Sequence, residues 1–204
     1  IASARDHILQ PLGTLSVNFN AAIDRVSDFG ALASWGYGVS WAPIPVLNVV
    51  ASVTHEEDAP TMQQLGDPLQ VTPNARIFDY VRQETVDVAR SSGGNPFLRA
   101  EKSHVFSLET TLRPFGEAGP RLSIHYRNTD IRNPIESFPV ATAAVEAAFP
   151  GRFVRDGNGQ LVAIDTRPVN FARSITEEVR WGINFSGRLG KAPPDTGDRR
   201  PPEG

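Results

Sequence analysis

The chain of 204 residues contains no cysteine. Disulfides, thiolate nucleophiles and cysteine-ligated metal centres are excluded together. It also lacks any apolar run of roughly 18 residues, so no segment qualifies as a membrane-crossing helix. A cationic surplus is missing: 20 Lys and Arg are interspersed with 23 Asp and Glu, for a net charge of -3. No electrostatic footprint for a phosphate backbone exists, and no nucleic-acid partner is expected. The opening "IASARDHILQ" has no Met, basic n-region or apolar h-region, so it reads as no signal peptide and the whole as a piece of a longer chain. The four histidines, His7, His55, His104 and His125, fall in separate segments without metal-ligand spacing, and no Gly-x-Ser-x-Gly nucleophile motif occurs. The expectation is a non-enzyme, with no catalytic residue, metal ligand or cofactor assigned.

What the sequence does have is alternation. In "SWGYGVSWAP", Trp35, Tyr37, Val39 and Trp41 are large and alternate with Ser34, Gly36, Gly38 and Ser40. Period two belongs to a strand, because successive Cβ atoms point to opposite sides of the sheet. The pattern recurs with Leu15, Val17, Phe19, Ala21 and Ile23 against Ser16, Asn18, Asn20, Ala22 and Asp24, about the 9 to 11 residues that a tilted barrel strand needs. It recurs again through Leu47, Val49, Ala51 and Val53, after two prolines in "APIPV" that stop the ladder. His104, Phe106, Leu108, Thr110 and Leu112 then form a hairpin with Leu122, Ile124 and Tyr126 across "PFGEAGP". Val179, Trp181, Ile183 and Phe185 form the sixth strong strand.

Between them lie two long excursions. The one after Thr54 is rich in Pro, Gly, Asp, Gln and Asn and reads as a long loop with one apolar cluster at Ile77, Phe78, Tyr80 and Val81. The other, about Ile131 to Ser174, predicts a short helix at Ala143 to Ala148 and a small hairpin around Gly157. "HEED", His55 to Asp58, reads as a charged loop foot just beyond a strand end. The ending "GKAPPDTGDRRPPEG" has no apolar anchor, which gives residues 1–189 as a partial barrel domain and 190–204 as a disordered Pro/Gly-rich tail. The fold expected is all-β: an open antiparallel up-and-down meander, part of a transmembrane β-barrel, with long loops on one side and short turns on the other. The same alternation with inside and outside exchanged describes a soluble secreted or periplasmic all-β binding module, whose aromatic face would pack into a sandwich core. Trp35, Trp41, Phe115 and Trp181, near strand ends, fit interfacial girdles.

"GNPFLRAEKSHVFSLETTL", Gly94 to Leu112, resembles the GNP-x-L-x-x-E-x-S passage from an external loop into a barrel strand in TonB-dependent receptors. "VLNVVASVTHEEDAPTMQQL", "RPFGEAGPRLSIHYRNTDIRNPI" and "RWGINFSGRL" extend the similarity from about Leu15 to Leu189. The resemblance implies the later part of a barrel domain from a bacterial outer-membrane receptor for a scarce nutrient such as a ferric siderophore or cobalamin. The implied partners are outer-membrane lipid, a plug domain with the remainder of the barrel, and an inner-membrane energy-coupling complex acting through the missing N-terminal part. The sequence departs from the family pattern in showing neither plug nor coupling box, in six strong strands where the family barrel has about 22, and in no final strand ending in an aromatic residue.

Glu109, Arg113, Arg127, Glu178 and Arg180 should face the lumen. Gly36 and Gly38 lie inside a strand, not between strand and helix, and leave room on its wet face. The glycosylation sequon at Asn184 to Ser186 is discounted because it falls in an alternating strand. The loops offer Glu56, Glu57 and Asp58, Arg76, Arg82 and Arg90, and Phe78 and Tyr80, a mixture that names no ligand, so no ligand-binding residue is assigned. Both loops should lie together at the external end.

Overall fold

The computed structural model describes residues 13–116 and 119–185. The proposed tail, His7 and Ser186 of the sequon lie outside them. Period two decides the architecture. Six long strands form one antiparallel sheet: β1 (Thr14–Val26), β2 (Gly30–Ile44), β3 (Leu47–Asp58), β6 (Glu101–Leu112), β7 (Arg121–Arg132) and β12 (Arg173–Asn184). Their spatial order is β1-β2-β3-β6-β7-β12, and β1 does not meet β12, so the sheet is open. "HEED" belongs to β3 and is not a loop foot, because its backbone continues the ladder as far as Asp58 opposite Glu101.

Register aligns the apolar positions into rows across the whole sheet. Val17, Val39, Ala51, Leu108, Tyr126 and Val179 make one such row, and Leu15, Trp41, Val49, Thr110, Ile124 and Trp181 the next. Trp35 lies three rows from Trp41 along β2, toward the opposite end, with His55, His104 and Asp130 across from it. The tryptophans therefore border a common apolar band, two on one side and one on the other. Nothing described covers that band: Phe19, Val17 and Ile23 on β1 and Val179, Trp181 and Ile183 on β12 are all exposed. A sandwich would bury these side chains, so the geometry is that of a barrel wall.

The opposite face is small and polar, and it is crowded. A Cβ added to Gly38 would come within 2.5 Å of Asn18 Oδ1, and one added to Gly36 within 2.9 Å of Asn20 Oδ1. The asparagine amides occupy the space that the glycines leave.

Turns follow the chemistry of their residues. Residues 27–29 close β1 onto β2, with Gly30 at φ +74 and the Phe29 N–H donating to Val26 O, the three-residue hairpin in which a left-handed residue follows the turn. Residues 45–46 and 113–116 turn at the other end, held together where Arg113 N–H donates to Val46 O at 2.8 Å.

The two long connections, residues 59–100 and 133–172, are not structureless. The first contains helix α1 (Met62–Gly66) and a hairpin of β4 (Gln70–Asp79) and β5 (Glu84–Ser92). The second contains β8 (Ile135–Glu136), α2 (Ala143–Ala148), β9 (Phe153–Arg155), β10 (Leu161–Asp165) and β11 (Val169–Asn170), including the expected helix and hairpin. β5 and β10 pair in parallel, Ala89 with Ala163 and Ser91 with Asp165, which knits the connections into one sheet of order β4-β5-β10-β9. Val86, Val88, Phe153, Leu161 and Ile164 form the buried cluster of this layer, with Phe138 and Val145 packed against it. The apolar residues that build it are split between two segments distant in sequence, so neither segment alone reads as folded.

Candidate functional site: a cleft at the root of the loop layer

The Gly-Asn-Pro passage fastens the loops to the barrel strands. Gly93 takes φ +121, and a Cβ on Gly94 would come within 2.6 Å of Asp67 N and 2.7 Å of the Leu65 carbonyl, both backbone. That closeness lets Gly94 N–H donate to Asp67 O and Asn95 N–H to Gln64 O. Asn95 is buried; its Nδ2 donates to Pro168 O at 2.8 Å and its Oδ1 accepts from Phe97 N–H. Leu98 is buried, and Glu101 Oε2 accepts from Ile135 N–H at 3.1 Å. The motif residues thus bind the first connection to the second.

A second clamp lies farther out. The guanidinium of Arg155 sits between Asp79 and Glu146: Nη1 and Nη2 donate to Asp79 at 2.7 and 3.0 Å, Nε and Nη2 to Glu146 at 2.6 and 2.7 Å, and Nη1 also to Gly159 O. All five N–H donors are satisfied. Asp79 is almost wholly buried, and Arg155 holds its carboxyl down from 3.8 to about 2 against the cost of burial, helped by the amides of Val81 and Arg82.

Beside Asn95 of the first clamp opens a cleft of about 730 Å³, bordered by Phe97, Arg99, Phe149, Arg152 and Phe171. Phe149 and Phe171 meet edge to face at 5.5 Å, while Phe97 is 83% exposed. Asn170 shapes the floor, accepting from Arg99 N–H and donating to the carbonyls of Arg99 and Asn133. Arg152 Nη1 stands 2.7 Å from Asp165 Oδ2 as a charge contact without hydrogen-bond alignment. Rings beside guanidinium groups can stack a planar ligand and pair with its anionic oxygens. No nucleophile and base are brought together there.

Most residues singled out in the sequence lie elsewhere. Glu57 bonds Lys102 Nζ at 2.6 Å, and Glu56 and Asp58 are exposed on β3. Arg76 pairs with Asp87, Arg82 with Glu84, and Phe78 with Tyr80 edge to face at 5.0 Å, all within the loop layer; Arg90 is exposed on β5. None of them borders the cleft. Phe149, Phe171, Arg152 and Asn170 carry no local signal in the sequence, because they come from the second connection and converge with Phe97 and Arg99 only through tertiary pairing. On the polar face, register places Glu109, Arg127, Glu178 and Arg180, with Arg180 Nε donating to Glu178 at 2.6 Å; Arg113 follows in the turn. His55 and His104 sit on the apolar side and His125 on the polar side, and among the described residues no three His, Asp or Glu are grouped to hold a metal.

Comparison with known proteins agrees with the sheet. Solved structures similar to the chain include the siderophore receptor PirA from Pseudomonas aeruginosa, with a TM-score of 0.56 and 19% identity over 82% of this chain and 27% of that one. PirA from Acinetobacter baumannii gives 0.59 and 16% over 91% and 24%. A mutant of the ferric enterobactin receptor PfeA from Pseudomonas aeruginosa gives 0.58 and 19% over 82% and 21%. The chain therefore spans about a quarter of the length of these receptors. No curated protein matches it in sequence. The family model described as TonB dependent receptor-like, beta-barrel, matches residues 8–193, which take in the whole outward-apolar sheet and its loop layer, and the chain belongs to that family.

Proposed function

We propose that the chain is part of the barrel wall and external loop layer of a bacterial outer-membrane receptor that binds a scarce nutrient, a ferric siderophore or a cobalamin, and passes it inward. Its partners are a plug domain, the remainder of the barrel and an inner-membrane energy-coupling complex, and its action is non-covalent. The observation that carries this reading is the cleft: two connections from one end of an outward-apolar sheet fold together and present Phe97, Phe149, Phe171, Arg99 and Arg152 around one opening. Recognition on loops held by a rigid scaffold is the usual arrangement. The siderophore is favoured over cobalamin because the cationic groups of the cleft suit a chelate of net negative charge.

The test uses a strain that lacks the full-length receptor, grown with iron or cobalamin limiting and rescued by the receptor or by its Phe97→Ala/Arg99→Ala variant. Both side chains lie at the surface, so the variant should reach the membrane at normal levels. Uptake of one nutrient should fall by about tenfold, as expected for losing one charge-assisted contact and one stacking contact. Unchanged uptake of both nutrients at normal receptor levels would remove the cleft from recognition.

A further inference from the structure

Two guanidinium groups border the cleft, Arg99 and Arg152, and among the described residues no carboxylate does. Arg99 has no hydrogen bond or ion pair on its guanidinium among the described residues. Arg152 is placed differently. Its Nη1 is buried 2.7 Å from Asp165 Oδ2 without a hydrogen bond, and its Nη2 reaches Pro168 O only at 3.5 Å. The cause is a third arginine, Arg167, which does not border the cleft. Arg167 Nε donates to both oxygens of Asp165 at 2.9 and 3.1 Å, Nη2 donates to Oδ2 at 2.7 Å, and the backbone N–H donates to Oδ1 at 3.0 Å.

Bidentate contact is the strong form of an arginine–carboxylate pair, and a carboxylate offers about four lone-pair sites. Arg167 takes most of those on Asp165. Burial pushes the Asp165 carboxyl up, yet the bonds from the Arg167 side chain and backbone, followed by the charge of Arg152, hold it below the ordinary carboxylate range. Arg152 therefore adds charge without alignment. An anionic oxygen in the cleft can draw it away at little cost, because Asp165 keeps Arg167 as a complete partner behind it. Three guanidinium groups against one carboxylate leave this wall with two positive charges in excess.

We propose that Arg167 is a positioning residue that occupies Asp165 so that Arg152 is free to turn to the ligand, and that the cleft thereby selects a polyanionic chelate over a neutral one. This rests on the cleft being the nutrient site and names its substrate class: a ferric chelate left with net negative charge by catecholate or carboxylate donors. Arg99 and Arg152 pair with that charge. Arg167 acts only through Arg152.

The experiment uses the full-length receptor purified in detergent and two probes, the trianionic ferric complex of a tris-catecholate and the neutral ferric complex of a tris-hydroxamate. Dissociation constants are read from quenching of tryptophan fluorescence for the wild type, Arg167→Gln and Asp165→Asn/Arg167→Gln. The wild type should bind the trianionic chelate more tightly than the neutral one. In Arg167→Gln the carboxylate is left to Arg152 alone, so the trianionic chelate should bind about tenfold more weakly, as for the loss of one charge-assisted bond, with the neutral chelate unchanged. Removing the carboxylate as well should restore wild-type affinity, a recovery that a purely structural role for Arg167 does not give. Undiminished binding of the trianionic chelate by Arg167→Gln, an equal loss for both chelates, a wild-type preference for the neutral chelate, or no recovery in the double variant overturns the role of Arg167 and leaves the nutrient reading standing. A wild type that binds neither chelate removes the siderophore reading and this inference with it.

Discussion

Asp79 shows how single residues hold the loop layer. Its carboxylate belongs to the first connection, and Arg155, which bonds it, to the second, so the ion pair is a tertiary fastening. The folded carboxyl titrates at about 2, below its ordinary 3.8. A group with a depressed folded pKa stabilises the fold above its unfolded value and loses that contribution as pH falls through the folded one. The layer should therefore loosen between about pH 4 and pH 2, seen as faster pepsin cleavage within residues 70–92 of the full-length receptor. Asp79→Asn should cleave faster at pH 4 already and change less on acidification. Equal pH dependence in both proteins would show that the pair does not hold the layer. Of these residues the sequence marks only some. Gly94 and Asn95 are legible as a loop signal, but the partners that require them, Asp67, Leu65 and Pro168, are not.

Elements were more legible than residues. All six long strands follow from alternation, because one face meets a uniform apolar environment and the other does not. β4 and β5 escaped, since a register shift between Thr72 and Ala75 interrupts the alternation of β4. Asn74, at φ +53, marks that break. The two faces of β6 differ enough for a paired test. Leu108 lies in the middle of the apolar band and Ser107 next to it points the other way. Leu108→Arg in the full-length receptor should cost about 2–4 kcal/mol, the penalty for a cation on the lipid face near the midplane. Ser107→Arg, with access to a wet lumen, should cost far less. Urea unfolding from lipid vesicles measures both. Equal costs would mean that the faces are assigned wrongly.

At the scale of the molecule, the open edges of β1 and β12 leave two rows of backbone N–H and C=O groups without partners in the sheet. Hydrocarbon cannot satisfy such groups, and barrels insert because closure removes the edges. The chain expressed alone should fail to extract into mild detergent as a folded, heat-modifiable species, while the full-length receptor does. A stable, monodisperse membrane form of the isolated chain would contradict the open sheet. The sequence by itself determined the six long strands, their two faces, their order as a meander and the family, because period two and turn residues are local and survive without knowledge of any partner. Only the tertiary structure decided that the long connections fold into one layer through parallel pairing of β5 with β10. It alone brought Phe149 and Phe171 beside Phe97. Each of these joins residues far apart in the chain, and the free energy that joins them comes from burial and pairing across that distance, which leaves no periodic mark on either segment.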